Sequence, residues 1–398
     1  MKPSSEGGNG NRRGSVNDDG VDYEIAGGTI KKRANLLGVV SWLTSDCSVK
    51  LNRLSNQIEI SGKPAKDSDH VWLRLRFQEE TKLSCGKNLM ADAVEYVAAT
   101  NGYDPLSDYF NDLKWDGTQR LEYIFIDALG AEKSEYTKEI AKRFLVSAVD
   151  RAMNPGCCHR LMLMLIGKEE VGKSLFCRDI CPNSEWFTDY LPRDIHSVRA
   201  MESLQGKFIV ESAELVSMRK SEQEAIKAFL SRSVDYVRLA YRRNPEGMVR
   251  RCVIIGTTNN ELPIPNDAEW TRYWPVVCGQ YERDWILENK DQLWGEAKSL
   301  LDSGYRWWDI DDRMKGIICN ARDELREVDV WESVIETIGG EEITMRSVIE
   351  LIGIKLEFVT RSVETRVGNL MSKHGWKRER IRRGEIREYI YRRSRDNI

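Results

Sequence analysis

Histidine is scarce and cysteine is unpaired in this chain. Four histidines among 398 residues, and nine cysteines with no Cys-x-x-Cys spacing, leave no ligand set for a zinc site. Cys177 and Cys181 lie four apart on a predicted helix, but no histidine is spaced to complete a set, so reduced, mostly buried thiols are expected. No apolar run approaches the ~20 residues that span a bilayer. The longest, residues 161–166, has the length of a strand. The first twenty residues are polar throughout and lack the apolar centre of a secretion signal, so a cytoplasmic protein with no membrane partner is expected. Net charge is also small, at −3, which excludes a polycation as a whole.

The distribution of charge says more than its sum. Residues 361–398 hold twelve Arg/Lys against five acids, a net of +7, which leaves −10 on the rest. A basic end on an acidic chain predicts a dedicated surface for a polyanion. With 41% hydrophobic and 31% charged residues, the composition is that of a folded protein of roughly two to three domains. Residues 1–33 are Gly-, Ser-, Asn- and Asp-rich and are expected to be a disordered tail. Residues 34–148 carry apolar positions at helical spacing, predicting a mainly helical N-terminal domain. From 149 to 310 short apolar runs (161–166, 207–211, 252–257) alternate with helix-length segments, the rhythm of a parallel α/β sheet. Residues 311–328 read as an acidic, helical linker. Residues 329–398 then read helix, helix, helix, hairpin, with Thr344 and Thr360 as helix caps and Arg383-Gly384-Glu385 as the turn, the order of a winged helix. On its third helix Arg361 and Lys373 line the polar face, and Arg382 follows on the hairpin.

The sharpest local signal is Gly167-Lys168-Glu169-Glu170-Val171-Gly172-Lys173-Ser174, a complete P-loop between an apolar strand and a helix, with Leu175 next to it counted among the nucleotide-binding residues. Its glycines let backbone N–H groups converge on ATP phosphates, Lys173 neutralises the outer phosphates, and Ser174 ligates Mg2+. A carboxylate at the end of a neighbouring strand must hold the magnesium's water shell. Glu211 ends such a strand, and Glu214 follows it as a second candidate that equally well caps a helix. Asn259 ends the next strand, where a side chain can sense the γ-phosphate. Arg272, between Trp270 and Trp274, is either a plain cation–π stack or an arginine finger for a neighbouring subunit. Residues 233–247, with a return over 248–255, read as a hairpin. Its Arg238, Arg242, Arg243, Arg250 and Arg251, interleaved with Tyr236 and Tyr241, suit single-stranded backbone and bases, or form a merely solvated surface.

The series GKEEVGKS, FIVESAEL, IKAFLSRSVDYVRLAYRR, VIIGTTNNELP and TRYWPV, with NGYDPL and LKWDGTQRL upstream, resembles the virulence-associated protein E family over roughly residues 85–300. That family is a branch of the superfamily III helicase-like, AAA+-like ATPases of phages and mobile elements. The resemblance implies an ATP-dependent DNA helicase or translocase in element replication, working as a hexameric homo-oligomer in the cytoplasm of a bacterial host. It implies Lys173 and Ser174 as Walker A, Glu211 and Glu214 as the Walker B region, Asn259 as sensor and Arg272 as a finger acting in trans. Lys227, Arg238 and Arg242 fall where such helicases engage DNA. Two departures stand out. No metal-binding carboxylate pair stands out before the ATPase, so priming is expected from a separate primase or polymerase. The acids are Glu211-x-x-Glu214 rather than adjacent, which leaves their division of labour open. A nucleotide-switched initiator or DNA sensor without processive unwinding is the alternative.

Overall fold

The computed structural model describes residues 21–26, 29–192, 194–213, 220–237, 246–259, 272–325, 330–383 and 386–393. Glu214, Arg238, Arg242 and Arg243 lie outside the described residues, as does the stretch 1–20 of the expected tail. The chain divides into two compact units, the larger running to Glu324 and the smaller holding Leu325–Ile398.

In the larger unit, β1 (Val21–Ala26) and β2 (Thr29–Ala34) pair as an antiparallel hairpin, so the end of the expected disordered tail is ordered by backbone hydrogen bonds between its own strands. Then come α1 (Leu36–Asp46), β3 (Val49–Asn52), β4 (Gln57–Ile60), β5 (Lys63–Pro64), α2 (Asp67–Thr81), α3 (Lys87–Thr100) and β6 (Gly102–Tyr103). Asn35 starts α1 by accepting a bond from the Gly38 N–H at 3.0 Å. The strands form a sheet in the order β5-β4-β3-β6, with Val39, Leu43, Leu73, Phe77, Met90 and Val94 buried in one core. Helices make up most of the region expected to be mainly helical, which also carries this small sheet. Its strands are two to four residues long, too short for an alternating pattern to register.

The expected boundary at residue 148 is also displaced. Helices α4 (Pro105–Asp112) and α5 (Glu135–Met153) belong to the core of the following sheet: Phe110 meets Phe208 at 5.6 Å and Trp294 at 5.8 Å, and the Tyr136 hydroxyl donates to the Pro275 carbonyl. The sheet that follows takes β7 (Met162–Ile166), α6 (Lys173–Ile180), β8 (Phe187–Thr188), α7 (Val198–Ser203), β9 (Ile209–Ser212), α8 (Lys220–Ser231), a two-stranded hairpin of β10 (Val234–Val237) and β11 (Glu246–Val249), β12 (Val253–Thr258), β13 (Tyr273–Val277) and α9 (Arg283–Asp302). Five strands run parallel in the order β13-β7-β12-β9-β8. All five residues of β7 are buried, as a strand covered on both faces requires. Helix α10 (Asp312–Glu324) presses Met314 and Ile318 into this core, so most of the expected linker is part of the larger unit.

The smaller unit holds α11 (Glu332–Glu336), β14 (Glu342–Thr344), α12 (Met345–Leu351), α13 (Arg361–Lys373), β15 (Trp376–Arg383) and β16 (Ile386–Arg393), its antiparallel strands in the order β14-β16-β15. The Thr344 hydroxyl caps α12 at the Ser347 N–H, and the Thr360 hydroxyl caps α13 at the Val363 N–H. Val348, Val367, Met371, Trp376 and Tyr391 close its core.

Candidate functional site

In a parallel sheet the strand ends collect side chains from distant stretches of sequence at one edge. Here the carboxyl ends of β7, β9 and β12 bring Lys173, Ser174, Glu211 and Asn259 around a cavity of about 670 Å³, which Glu169, Glu170, Gly172, Leu175 and Thr257 also line. The loop from Gly167 turns through Glu170 and Gly172, both at positive φ (64° and 95°), before α6 begins. A Cβ on Gly172 would lie 2.5 Å from the Tyr281 Cβ, and one on Gly167 would lie 2.8 Å from the Cys278 carbonyl oxygen, so neither position admits a side chain.

Lys173 is 7% exposed, and its ammonium spends its three donors on neutral oxygens: the carbonyls of Gly167 at 2.8 Å and Lys168 at 2.6 Å, and Asn259 Oδ1 at 2.9 Å. Burial lowers its pKa, with the Glu169 and Glu211 carboxylates opposing that shift. Asn259 turns its amide N–H to Glu169 Oε1 at 3.2 Å. One oxygen of the buried Glu211, Oε1, accepts from Ser174 Oγ at 2.6 Å and from Thr257 Oγ1 at 2.8 Å. Thr257 escaped notice in the sequence because a strand ending in small polar residues is ordinary turn chemistry. Burial pushes the nearby Cys278 thiol up to about 12 and Cys177 well above its usual value. All nine cysteines are free. The arrangement suits an anion cradled by the loop and a hard cation at the Ser174–Glu211 oxygen pair.

Other basic residues fare differently. Arg250, expected on a hairpin surface, is buried and forms a bidentate pair with the buried Asp235, with its guanidinium over the Phe229 ring. Arg251, also buried, reaches Asp104 at 2.6 Å, Ser107 at 2.9 Å and the Ala152 carbonyl. Burial alone would raise the Asp104 pKa, but Arg251 and the Ser107 bonds hold it below its usual value. Neither arginine lies on a hairpin surface, because β11 ends at Val249 and β12 starts inside the main sheet, so 248–255 does not return as one exposed strand. Arg272 lies at the opposite, amino-terminal edge of the sheet from Lys173. It donates to Ser231 Oγ at 2.8 Å and to the Lys227 carbonyl at 3.2 Å, where α8 ends. In the smaller unit, Lys373 and His374 both bond Oε1 of the buried Glu332, while Lys373 itself and Arg361 at the start of α13 are exposed. Arg382 lies on β15 opposite Arg387.

These features define a mixed α/β protein whose parallel sheet presents a glycine loop and a converging lysine, serine and glutamate at its carboxyl edge. The family model described as the virulence-associated protein E-like domain matches residues 110–327, and the chain belongs to that family. The match begins in α4 and ends just past α10, close to the limits of the sheet's own core. Among solved structures the chain is similar to the NrS-1 C-terminal region (305–718), with a TM-score of 0.52 and 12% identity over 90% of this chain and 99% of that one. An A form of the same region gives 0.50 and 13%, over 90% and 100%. A JCV helicase with bound inhibitor gives 0.30 and 14%, over 68% and 83%. At such identities the NrS-1 likeness is one of fold. No curated protein matches the chain. No helix among the described residues is long and apolar enough to cross a membrane.

Proposed function

We propose that this chain is an ATP hydrolase that moves on DNA as a helicase or translocase in phage or mobile-element replication, with Mg2+ as its cofactor. The observation that carries the reading is the convergence of Lys173, Ser174, Glu211 and Asn259 on one cavity behind a glycine loop that admits no side chain at Gly167 or Gly172. In this reading residues 167–175 form a P-loop of the Walker A type whose backbone N–H groups hold the triphosphate. Lys173, whose bonds all go to neutral oxygens, is poised to exchange them for a phosphate. Ser174 and Glu211 offer the hard oxygens that magnesium prefers, and the ion supplies charge neutralisation on the phosphates when bound. Thr257 orients Glu211 by occupying the same oxygen as Ser174.

Assembly and partners follow from the same reading. Arg272 lies too far from its own Lys173 to serve it, which favours service to a neighbour in a ring, a hexamer by family resemblance. The smaller unit is a winged helix for duplex DNA, with α12 and α13 as its helix pair and β15–β16 as its wing. The ring engages single-stranded DNA, and a separate primase or polymerase supplies primers. Hydrolysis and unwinding assays on the wild type and Lys173→Ala test the whole. The wild type is expected to hydrolyse ATP faster with single-stranded DNA and to separate strands, while Lys173→Ala loses hydrolysis by about a thousandfold and keeps its melting temperature. Slow turnover without strand separation would point instead to a nucleotide-switched initiator or sensor. Full hydrolysis in Lys173→Ala would overturn the site.

A further inference from the structure

A second cavity, of about 660 Å³, opens at the amino-terminal edge of the sheet, where Leu161 leads into β7 and Trp274 sits in β13. Since β7 is five residues long, this cavity lies about 17 Å from the glycine loop and shares no residue with it. The chemistry of its walls is specific. Trp307 is fixed by a 2.8 Å bond from its indole N–H to Asp150 Oδ2 and by the His159 ring at 5.6 Å. Trp308 meets Trp307 edge-on, at 5.5 Å and 89°, and is 56% exposed. An indole held in place by its neighbour yet open to solvent is a ready stacking surface. The other oxygen of the buried Asp150 accepts from Asn154 at 2.7 Å, so the carboxylate is held in place while each oxygen keeps acceptor capacity. Arg160 stands on the rim, its Nε 3.0 Å from Cys158 Sγ. In the same wall, the buried Trp274 indole N–H has no hydrogen-bond partner.

A flat π surface, a carboxylate that accepts from N–H groups and a guanidinium that pairs with phosphate are together what a nucleotide presents its complement to. The rim also continues into the stem of the β10–β11 hairpin: Gly156 N–H donates to the Arg250 carbonyl at 3.2 Å, and Arg151 donates to the Arg232 carbonyl at 3.1 Å. We infer that this cavity is a second nucleotide-unit site, taking a base against Trp308 with its N–H edge toward Asp150 and its phosphate toward Arg160. The unit is either a free mononucleotide or one base of a single strand led in along the hairpin stem; the strand alternative rests on the DNA-motor reading, the mononucleotide alternative does not.

The test uses the full chain as wild type, Trp308→Ala and Trp308→Phe, with the glycine-loop site filled by a non-hydrolysable ATP analogue. Binding of dGMP is measured by calorimetry and binding of a labelled single-stranded oligonucleotide by anisotropy. Trp308→Ala is expected to weaken one of the two by about tenfold at unchanged melting temperature, with Trp308→Phe restoring most of it. Loss confined to the oligonucleotide identifies a strand site, and loss confined to dGMP a free-nucleotide site. Unchanged affinity for both, or a loss that Trp308→Phe does not recover and that tracks a lowered melting temperature, overturns the proposal. Hydrolysis surviving in Lys173→Ala would sink the motor reading without moving either affinity, so the two failures are distinguishable.

Discussion

The two edges of the parallel sheet both carry cations, and they differ in what answers the charge. At the carboxyl edge Lys173 is bonded to two carbonyls and an amide oxygen, all neutral. At the amino edge Arg250 and Arg251 are locked to the carboxylates of Asp235 and Asp104. A cation on neutral oxygens keeps its charge for an arriving anion. A buried cation on a carboxylate has none to spare, and breaking such a pair costs far more than an exposed one contributes. Position on a conspicuous basic stretch therefore says little about DNA binding until the partner of each arginine is known.

The largest effect that bears on this contrast concerns Arg272, which shares the amino edge but donates to the Lys227 carbonyl and the Ser231 hydroxyl. If it completes a neighbour's site, Arg272→Ala loses hydrolysis by about a thousandfold, and mixing it with Lys173→Ala restores part of the activity at junctions where an intact loop faces an intact arginine. A mixture that recovers nothing, beside a lowered melting temperature for Arg272→Ala, would return Arg272 to a role in holding the end of α8. Next in size is the Asp235 pair. Arg250→Ala is expected to destabilise the fold by about 3–5 kcal/mol, with much of the loss recovered when Asp235→Leu is added to Arg250→Met. A normal melting curve combined with weakened single-strand binding would restore Arg250 to the surface.

A smaller effect comes from His159, held neutral behind Trp307, where burial and the Arg151 charge push its pKa down to about 3. The unfolded chain takes up that proton below about pH 6.5, so between about 6.5 and 3 the unfolded state binds more protons and stability falls as pH drops. Its contribution is fully present above about pH 6.5 and declines by about 1.4 kcal/mol per unit below it. Melting temperatures taken from neutral to mildly acidic pH check this, and His159→Gln is expected to flatten that part of the curve. The smallest effect is on the slope of duplex binding with salt. Removing Leu325–Ile398 lowers it by about one unit per lost phosphate contact while hydrolysis persists. An unchanged slope would make the basic face a solvated surface.

Legibility in the sequence followed the distance over which each feature is built. The residues 167–174 are contiguous and their chemistry leaves few substitutes, so the loop, its flanking strand and its helix could be read directly. Glu211 and Asn259 were readable as polar ends of apolar strands. The burial of Arg250 and Arg251 is not legible locally, because the carboxylates that neutralise them lie 15 and 147 positions away and no local pattern reports such a pair. Helix α5 was assigned to the wrong domain because it is buried on nearly every side, so its apolar periodicity does not point toward a partner. The N-terminal strands β5 and β6 are two residues each and leave no pattern at all.

Tyr281 gives the glycine loop a backing that extends into the core. Its backbone N–H bonds the Val171 carbonyl, its side chain fills the space beside Gly172, and its hydroxyl reaches Asp179 on α6, which Arg283 also grips. The loop is thus tied to both ends of the segment it must serve before anything binds. The loop should keep its shape when empty, and a ligand's affinity should report contacts made rather than order imposed.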